Sequence, residues 1–190
     1  MKKNTSALCL AVAGLCVVFT LSSCEQQEGP SQTAKPAPAP AVSGDNDGFS
    51  GTLPTALAGL TMSASAGGVC VVDLINDSAS EAVTVSKNSP LKMIGWAVDG
   101  KTISVPRTVV IQLASVAGGK FYAPAARTKR PGLATAFKTP AYEDGGFDTG
   151  SVSLSNVPAG QYAVSVIQVS DEASPDTALV CDAQKKMEIE

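Results

Sequence analysis

From residue 69 onward the chain consists of short segments in which apolar and polar positions alternate. In the segment 160–170, Tyr162, Val164 and Val166 fall on one face of an extended chain, because successive side chains of a β-strand point to opposite faces. Such segments recur at intervals of roughly 8–12 residues between Gly, Pro, Asn and Asp, which is typical of a sandwich or barrel. We therefore predict an all-β domain of about seven to nine strands. The predicted strands lie at 69–75, 82–86, 91–99, 108–115, 120–126, 149–157, 160–170, 177–183 and 186–190.

Two segments depart from the strand pattern. Residues 131–137, PGLATAF, show no alternation and are predicted to form a helical turn between strands. Residues 51–67 fit either an additional edge strand or a partly mobile segment.

Trp96, the only tryptophan, shares a face with Ile94 and Val98. Its predicted role is therefore core packing, with stacking against a sugar ring as the alternative.

The first residues have the composition of an export signal. Lys2 and Lys3 precede an apolar stretch at 7–21, and small residues follow directly. A positive start, a short apolar core and small residues before a cleavage site are typical of a secretory signal peptide. The apolar stretch is shorter than the roughly 20 residues that cross a bilayer as a helix. We therefore predict a signal peptide at 1–23 rather than a transmembrane anchor.

The sequence Leu21-Ser22-Ser23-Cys24 resembles the bacterial lipobox, in which Leu and two small residues precede an acylated Cys. The resemblance implies that Cys24 becomes the mature N-terminus and is the site of lipid attachment, palmitate included. Several acyl chains anchor a protein firmly to a membrane, since each buried methylene contributes about 0.8 kcal/mol. In this family an Asp after the Cys favours the inner membrane, whereas Glu25 follows here. The resemblance thus implies a lipid anchor in the cell outer membrane, with the domain facing the periplasm or the cell surface.

The stretch at 24–52 is predicted to be a disordered, lipidated linker. It is rich in Pro, Ala, Gly and polar residues, with the run KPAPAPA at 35–41. Such a composition buries too little apolar area to offset the entropy lost on ordering, and a Pro-Ala run is stiff and extended. The remaining residues, 53–190, are predicted to form one domain, which is long enough to bury a core.

The five cysteines divide by position. Cys9 and Cys16 lie in the signal peptide, and Cys24 is the lipid site. Cys70 and Cys181 remain as a single pair in an exported domain, where oxidising conditions favour a disulfide. Two buried free thiols are the alternative.

Charge and histidine content limit the functional classes. Removing 1–23 takes away two Lys and no acid, so the net charge falls from −3 to −5. The chain has no basic stripe, so a nucleic-acid partner is not expected. The chain also has no His, which argues against a zinc site and excludes a Ser-His-Asp triad. No metal or other cofactor is predicted.

Five sequence blocks follow one another along the chain: GWAVD at 95–99, PRTVVIQL at 106–113, RTKRPGLATAF at 127–137, GF at 146–147 and SLSNVPAGQYAVSV at 153–166. Their order resembles that of a group of bacterial immunoglobulin-like (Ig-like) modules. That group has Gly-Trp-Ala-x-Asp, a strand, Arg-Pro-x-x-Ala-x-x-Phe, Gly-Phe and then a turn ending in Gly-x-Tyr. The resemblance implies an Ig-like β-sandwich without catalysis, acting as a binding or spacer module with an envelope polysaccharide or protein as partner. It also implies that Tyr162 is a corner tyrosine whose hydroxyl bonds to upstream backbone.

The sequence GFDTGS contains the Asp-Thr-Gly triplet of aspartic proteases, centred on Asp148. Those enzymes need two Asp that share a proton, so one triplet per chain would require a homodimer. The flanking residues also differ from the protease pattern, since acidic and glycine residues precede the triplet and a turn follows it. A homodimeric protease using Asp148 is the alternative to a non-catalytic module. Ser89 and Lys92 satisfy Ser-x-x-Lys, but that motif needs a helix and this segment is predicted to be a strand.

The remaining charged cluster places Arg127, Lys129 and Arg130 near Glu143 and Asp144. A solvated loop is the simpler interpretation. The sharper interpretation is that Arg127 and Arg130 bind an acidic sugar or a partner's carboxylate, for which the planar guanidinium is suited. A third hypothesis is that the domain is a structural subunit of an envelope complex, with its edge strands extending a neighbour's sheet.

Overall fold

A computed structural model describes residues 48–64, 68–170 and 176–190. The prediction of an all-β domain is confirmed, because the described residues form a single curled sheet of nine strands. The strands are β1 (Thr61–Ser63), β2 (Gly68–Ile75), β3 (Ala82–Val85), β4 (Met93–Asp99), β5 (Thr108–Ser115), β6 (Lys120–Thr128), β7 (Gly146–Asp148), β8 (Gly160–Val169) and β9 (Thr177–Ile189). One α-helix, α1 (Pro131–Ala136), and two 3₁₀ turns at Thr55–Leu57 and Pro140–Asp144 complete the secondary structure.

The strand order in the sheet is β1-β9-β8-β5-β6-β7-β4-β2, and β3 pairs with β9 outside this path. Strand β6 connects the two halves, since its residues 120–125 pair with β5 and its residues 126–128 pair with β7. All neighbours are antiparallel except β1 and β3, which both run parallel to β9. The sheet curls on itself, and β2 at one end of the path comes to lie against β9 near the other.

The main core lies inside the curl and contains side chains from nearly every strand. Phe49, Ile111, Phe147 and Val164 are among its fully buried members. Strand β5 is buried on both faces, because the chain at Thr55–Leu57 covers its outer side. There Leu57 forms a second apolar cluster with Val110, Ile167, Val169 and Ala178. The described part of this segment, residues 51–64, therefore contributes a structural cover as well as the edge strand β1.

The predicted disulfide between Cys70 and Cys181 is confirmed. It joins β2 to β9, two strands that are not paired with each other, with a Cα–Cα distance of 6.1 Å. The bond thus links the strand at one end of the curled sheet covalently to a strand near its other end.

Most strand predictions are confirmed, but the predicted strand at 149–157 is wrong. Only isolated bridges form there, at Val152 and Ser153. Local hydrogen bonds compete with a sheet in this segment: the Asp148 carboxylate accepts from the N–H of Gly150, and Ser153 Oγ accepts from the N–H of Ser155. The strands predicted at 177–183 and 186–190 are one continuous strand, β9, with an irregularity where Gln184 has a φ of 54°.

The packed chain begins earlier than the predicted boundary at residue 53. Gly48 bridges Ser153, Ser50 pairs with Tyr122, and Phe49 between them is fully buried. Composition could not show this, because the segment before Phe49 is polar and rich in Gly. The predicted signal peptide, the lipid site at Cys24 and the linker as far as residue 47 lie outside the described residues. No helix among the described residues is long and apolar enough to cross a membrane.

Two local predictions on the chain are confirmed. The segment PGLATAF forms α1, which begins at Pro131, a residue suited to the first turn because its missing N–H would have no partner there.

The hydroxyl of Tyr162 donates to the carbonyl of Pro158 at 2.7 Å, as expected of a corner tyrosine. The Tyr162 ring is buried and contacts Phe121 edge-on. Its hydrogen bond ties the turn before β8 to the strand itself.

We expect Tyr162→Phe to lower the free energy of unfolding by about 1 kcal/mol, the usual value for one intramolecular hydrogen bond. The ring would still pack, so the loss reports on the hydroxyl alone. Burial raises the pKa of Tyr162 above its ordinary value of 10.0. Its contribution to stability is therefore fully present below pH 10 and is lost as the pH rises through the folded pKa. Urea unfolding at neutral and at alkaline pH measures both effects.

Tyr122→Phe is the matched control for this prediction. Burial raises the pKa of Tyr122 too, but its hydroxyl makes no hydrogen bond to a described residue. Tyr122→Phe should therefore change how the free energy of unfolding varies at alkaline pH, with little loss of that free energy at neutral pH. Equal losses of unfolding free energy from both variants at neutral pH would contradict the role assigned to the Tyr162 hydroxyl.

Candidate functional site

Trp96 lies on the outer face of the half-sheet β2-β4-β7-β6. In the strand register it stands between Val71 and Gly146. The indole is half-buried and contacts Phe137 edge-on, with ring centroids 5.5 Å apart. Val69 and Val71 on the edge strand β2 are 42% and 37% exposed, and Phe137 is 43% exposed. We call the surface formed by Val69, Val71, Trp96 and Phe137 the Trp96 face.

The helical segments after β6 cover one side of the Trp96 face. Leu133 and Tyr142 pack with Val98 in a small apolar cluster, against which Trp96 is placed. Phe137 contacts Tyr142, and the Tyr142 hydroxyl donates to the carbonyl of Asp99 at 3.3 Å. The packing predicted for Trp96 is therefore found in this outer cluster and not in the main core.

Arg127 and Arg130 are not brought together. Arg127 is exposed and stands opposite Phe147 in the register, so its side chain leaves the sheet on the face that carries the main core. Arg130 lies beside Gly146, which stands opposite Trp96 in the register. From there its guanidinium pairs with Asp73 on β2. Both members of this pair are about one-third exposed, at 37% and 30%. A joint clamp would require the two guanidinium groups on the same face, and ligand binding by either Arg stays a prediction.

The Asp-Thr-Gly triplet fastens β7 to β4. The Asp148 carboxylate lies 3.3 Å from Nζ of Lys92 and accepts the N–H of Gly150 at 2.7 Å. Thr149 exchanges two hydrogen bonds with Met93, one through its backbone N–H and one through Oγ1. Lys92 precedes β4 in extended chain, so Ser89 and Lys92 do not share a helix turn. The motifs that resemble catalytic signatures thus hold neighbouring strands together.

A buried carboxylate that sequence reasoning passed over organises the turn after β4. Asp99 is fully buried, and its Oδ1 accepts the N–H groups of Lys101 and Thr102 at 2.9 and 3.2 Å. Its Oδ2 accepts from the hydroxyl of Ser170 at 3.4 Å. The Asp-Gly pair at 99–100 signals a turn, but alternation along β4 does not show that its last residue is buried.

The part of the chain that the structure describes lacks the grouped side chains that a metal site needs. No cluster of three or more His, Cys, Asp or Glu side chains that could hold a metal ion occurs there. One buried polar atom, Oε1 of Gln168, has no hydrogen-bond partner in the structure, while Nε2 of the same amide donates to the carbonyl of Val69 at 3.3 Å. One amide oxygen supplies far fewer ligands than a hard cation takes, so this atom does not by itself form a cation site.

Comparison of the chain with protein-family models, with curated proteins and with solved structures finds no match.

Proposed function

We propose that this chain is a bacterial envelope lipoprotein, anchored to the outer membrane through Cys24, whose β domain is a non-catalytic binding or spacer module. The observation that carries the proposal is the disulfide between Cys70 and Cys181. Disulfides persist in exported proteins and are rare in the cytosol. The disulfide therefore agrees with the export signal and the lipobox-like residues at the N-terminus.

We further propose that the curled sheet is an Ig-like sandwich. Three observations support this. The chain changes from one half of the sheet to the other within β6. The disulfide links strands that lie against each other without pairing. The hydroxyl of Tyr162 is bonded back to the turn that precedes its strand, as in sandwiches with a corner tyrosine.

The contacts of Asp148 favour a module without catalysis over an aspartic protease. A protease dyad keeps its two carboxyl groups beside each other so that they share one proton. The Asp148 carboxylate instead contacts an ammonium group, Lys92, and a backbone N–H. These contacts fasten β7 to the chain at the start of β4.

The proposed binding role has its structural support on the Trp96 face. Singly scattered apolar residues are normal on a surface. Here Val71, an exposed residue of an edge strand, stands opposite a half-buried indole, and the indole contacts an exposed phenylalanine. Aromatic and aliphatic groups together suit either a sugar ring or an apolar protein segment. An envelope polysaccharide and an envelope protein are thus the two partner classes of the proposal.

Mass spectrometry of the chain from its own envelope tests the proposal. We expect a mature protein that begins at an acylated Cys24 and fractionates with membranes. Cys24→Ala should abolish acylation and release the domain from the membrane fraction, because the protein would then lack the acyl chains that hold it in the bilayer. Cys70→Ala is the matched control, since it removes a different cysteine and should leave acylation intact. An unmodified Cys24 in membrane material would contradict the proposal.

A further inference from the structure

The turn between β4 and β5 presents one exposed apolar side chain in an unfavourable backbone conformation. Ile103 has a φ of 56° and is 59% exposed. A β-branched residue at positive φ is a genuine outlier, because its branched side chain crowds the backbone there. Asn76 and Asp77 also have positive φ, but they are of types that tolerate the conformation. The remaining described non-glycine residues with positive φ, Lys138 and Gln184, are not β-branched. Burial cannot explain the choice of Ile at this position.

The turn is held rigidly by the residues around Ile103. Asp99 and Ser104 exchange two backbone hydrogen bonds at the base of the turn. The buried Asp99 carboxylate fixes the N–H groups of Lys101 and Thr102, and the hydroxyls of Thr102 and Ser104 lie 2.7 Å apart. Strain of this kind persists only where the surroundings determine the conformation, and it concentrates at functional positions.

Ile103 lies at the end of β4 opposite to the end at which the described chain starts. Gly48 bridges Ser153, and the neighbouring Val152 bridges Leu91, just before β4 begins. The turn at Asp99–Ser104 follows the last residue of β4. Phe137, 43% exposed, lies near the same end, because its ring contacts Tyr142 and the Tyr142 hydroxyl reaches the carbonyl of Asp99.

We infer that Ile103 is an apolar anchor for a protein partner, displayed by a rigid turn at the end of the domain remote from Gly48. The inference rests on the proposed function and names the partner class as a protein. The one exposed charge in the turn is Lys101, so the partner surface it fits is an apolar pocket with a carboxylate at its rim. A rigid aliphatic tip suits such a pocket because little side-chain and backbone entropy remains to be lost on binding.

The first experiment measures thermal unfolding of the purified domain with Ile103→Gly and, as matched control, Val116→Gly. Val116 is also β-branched and is 79% exposed, but its φ is not positive. Glycine adopts positive φ without strain, so Ile103→Gly should raise the unfolding midpoint by a few degrees. Val116→Gly should lower it or leave it unchanged. An equal fall in the unfolding midpoint of both variants would overturn the inference, because Ile103 would then not destabilise the folded domain.

The second experiment places a photocrosslinking amino acid at residue 103 or at residue 116 of the full chain in the cells that produce it. The inference requires one defined protein adduct from position 103 that is absent from position 116. Lys101→Glu should reduce its yield about tenfold, the effect of losing roughly 1.4 kcal/mol, and Lys101→Arg should retain it. The crosslinked peptide of the partner should contain apolar residues beside an Asp or Glu.

Three outcomes would overturn the inference. The first is no adduct from residue 103 while Cys24 is acylated and the domain folded, which leaves the proposed function standing. The second is an adduct that is insensitive to the charge at Lys101. The third is Ile103-dependent sedimentation of the unlipidated domain with vesicles of phosphatidylglycerol and phosphatidylethanolamine, which would assign the tip to a membrane surface.

Discussion

We expect the double variant Cys70→Ala/Cys181→Ala to lose about 2–5 kcal/mol of unfolding free energy, the usual effect of removing a native disulfide from a small exported domain. The two cysteines are 111 residues apart. Closing a loop of that length removes much conformational entropy from the unfolded chain, about 4.7 kcal/mol in the chain-entropy model. The disulfide also joins β2 to β9, which have no hydrogen-bonded ladder between them. Its loss should therefore let the ends of the sheet separate.

Urea unfolding of the domain without its lipid site measures this loss. The wild-type domain with its disulfide reduced is the matched control and should unfold at nearly the same urea concentration as the double variant. The slope of free energy against urea should also rise, because an unfolded chain without the cross-link exposes more surface. A loss below about 1 kcal/mol would show that β2 is held mainly by its pairing with β4.

The second large effect is expected at Phe49. Its ring is fully buried in the main core although the residue lies in the stretch predicted as linker. We expect Phe49→Ala to cost about 3–5 kcal/mol, as large-to-small changes of buried aromatic residues do. Leu53→Ala is the matched control, since Leu53 is 39% exposed and surface changes of this kind are usually within about 0.5 kcal/mol.

The same experiment decides where the folding unit begins. A chain that starts at residue 53 lacks Phe49 and the backbone pairing of Gly48 and Ser50, so it should be at least as unstable as Phe49→Ala. A chain that starts before Gly48 should be as stable as the full mature domain. Equal stability of both truncated chains would contradict the role assigned to Phe49.

Local patterns predicted most of the sheet. The strands around 108–115 and 160–170 match β5 and β8 closely, because alternation is imposed by the pleat and needs no knowledge of neighbours. The segment 149–157 alternates equally well and yet forms no strand. Its short polar side chains bond to nearby backbone, and alternation alone does not reveal that competition.

The candidate site was less predictable than the sheet. Arg130 was named from sequence, but its partner Asp73 lies 57 positions away, and only the register of the half-sheet β2-β4-β7-β6 brings them together. Gly95 shows a similar dependence. A Cβ there would lie 2.6 Å from the Phe147 ring, so the glycine of the sequence GWAVD provides space for a side chain on another strand.

By itself, the sequence determined the all-β class, most strand positions, the short helix and the pairing of Cys70 with Cys181. These features depend on local periodicity, local turn chemistry or the small number of cysteines. Only the tertiary structure decided that Phe49 belongs to the core, that Asp148 is held by Lys92 and that Ile103 is exposed in a strained turn. The first two depend on which distant segments the curl of the sheet brings together, and that choice is made by packing and hydrogen bonding across the whole domain. The third depends on hydrogen bonds within the turn 99–104, which form because the last residue of β4, Asp99, is buried.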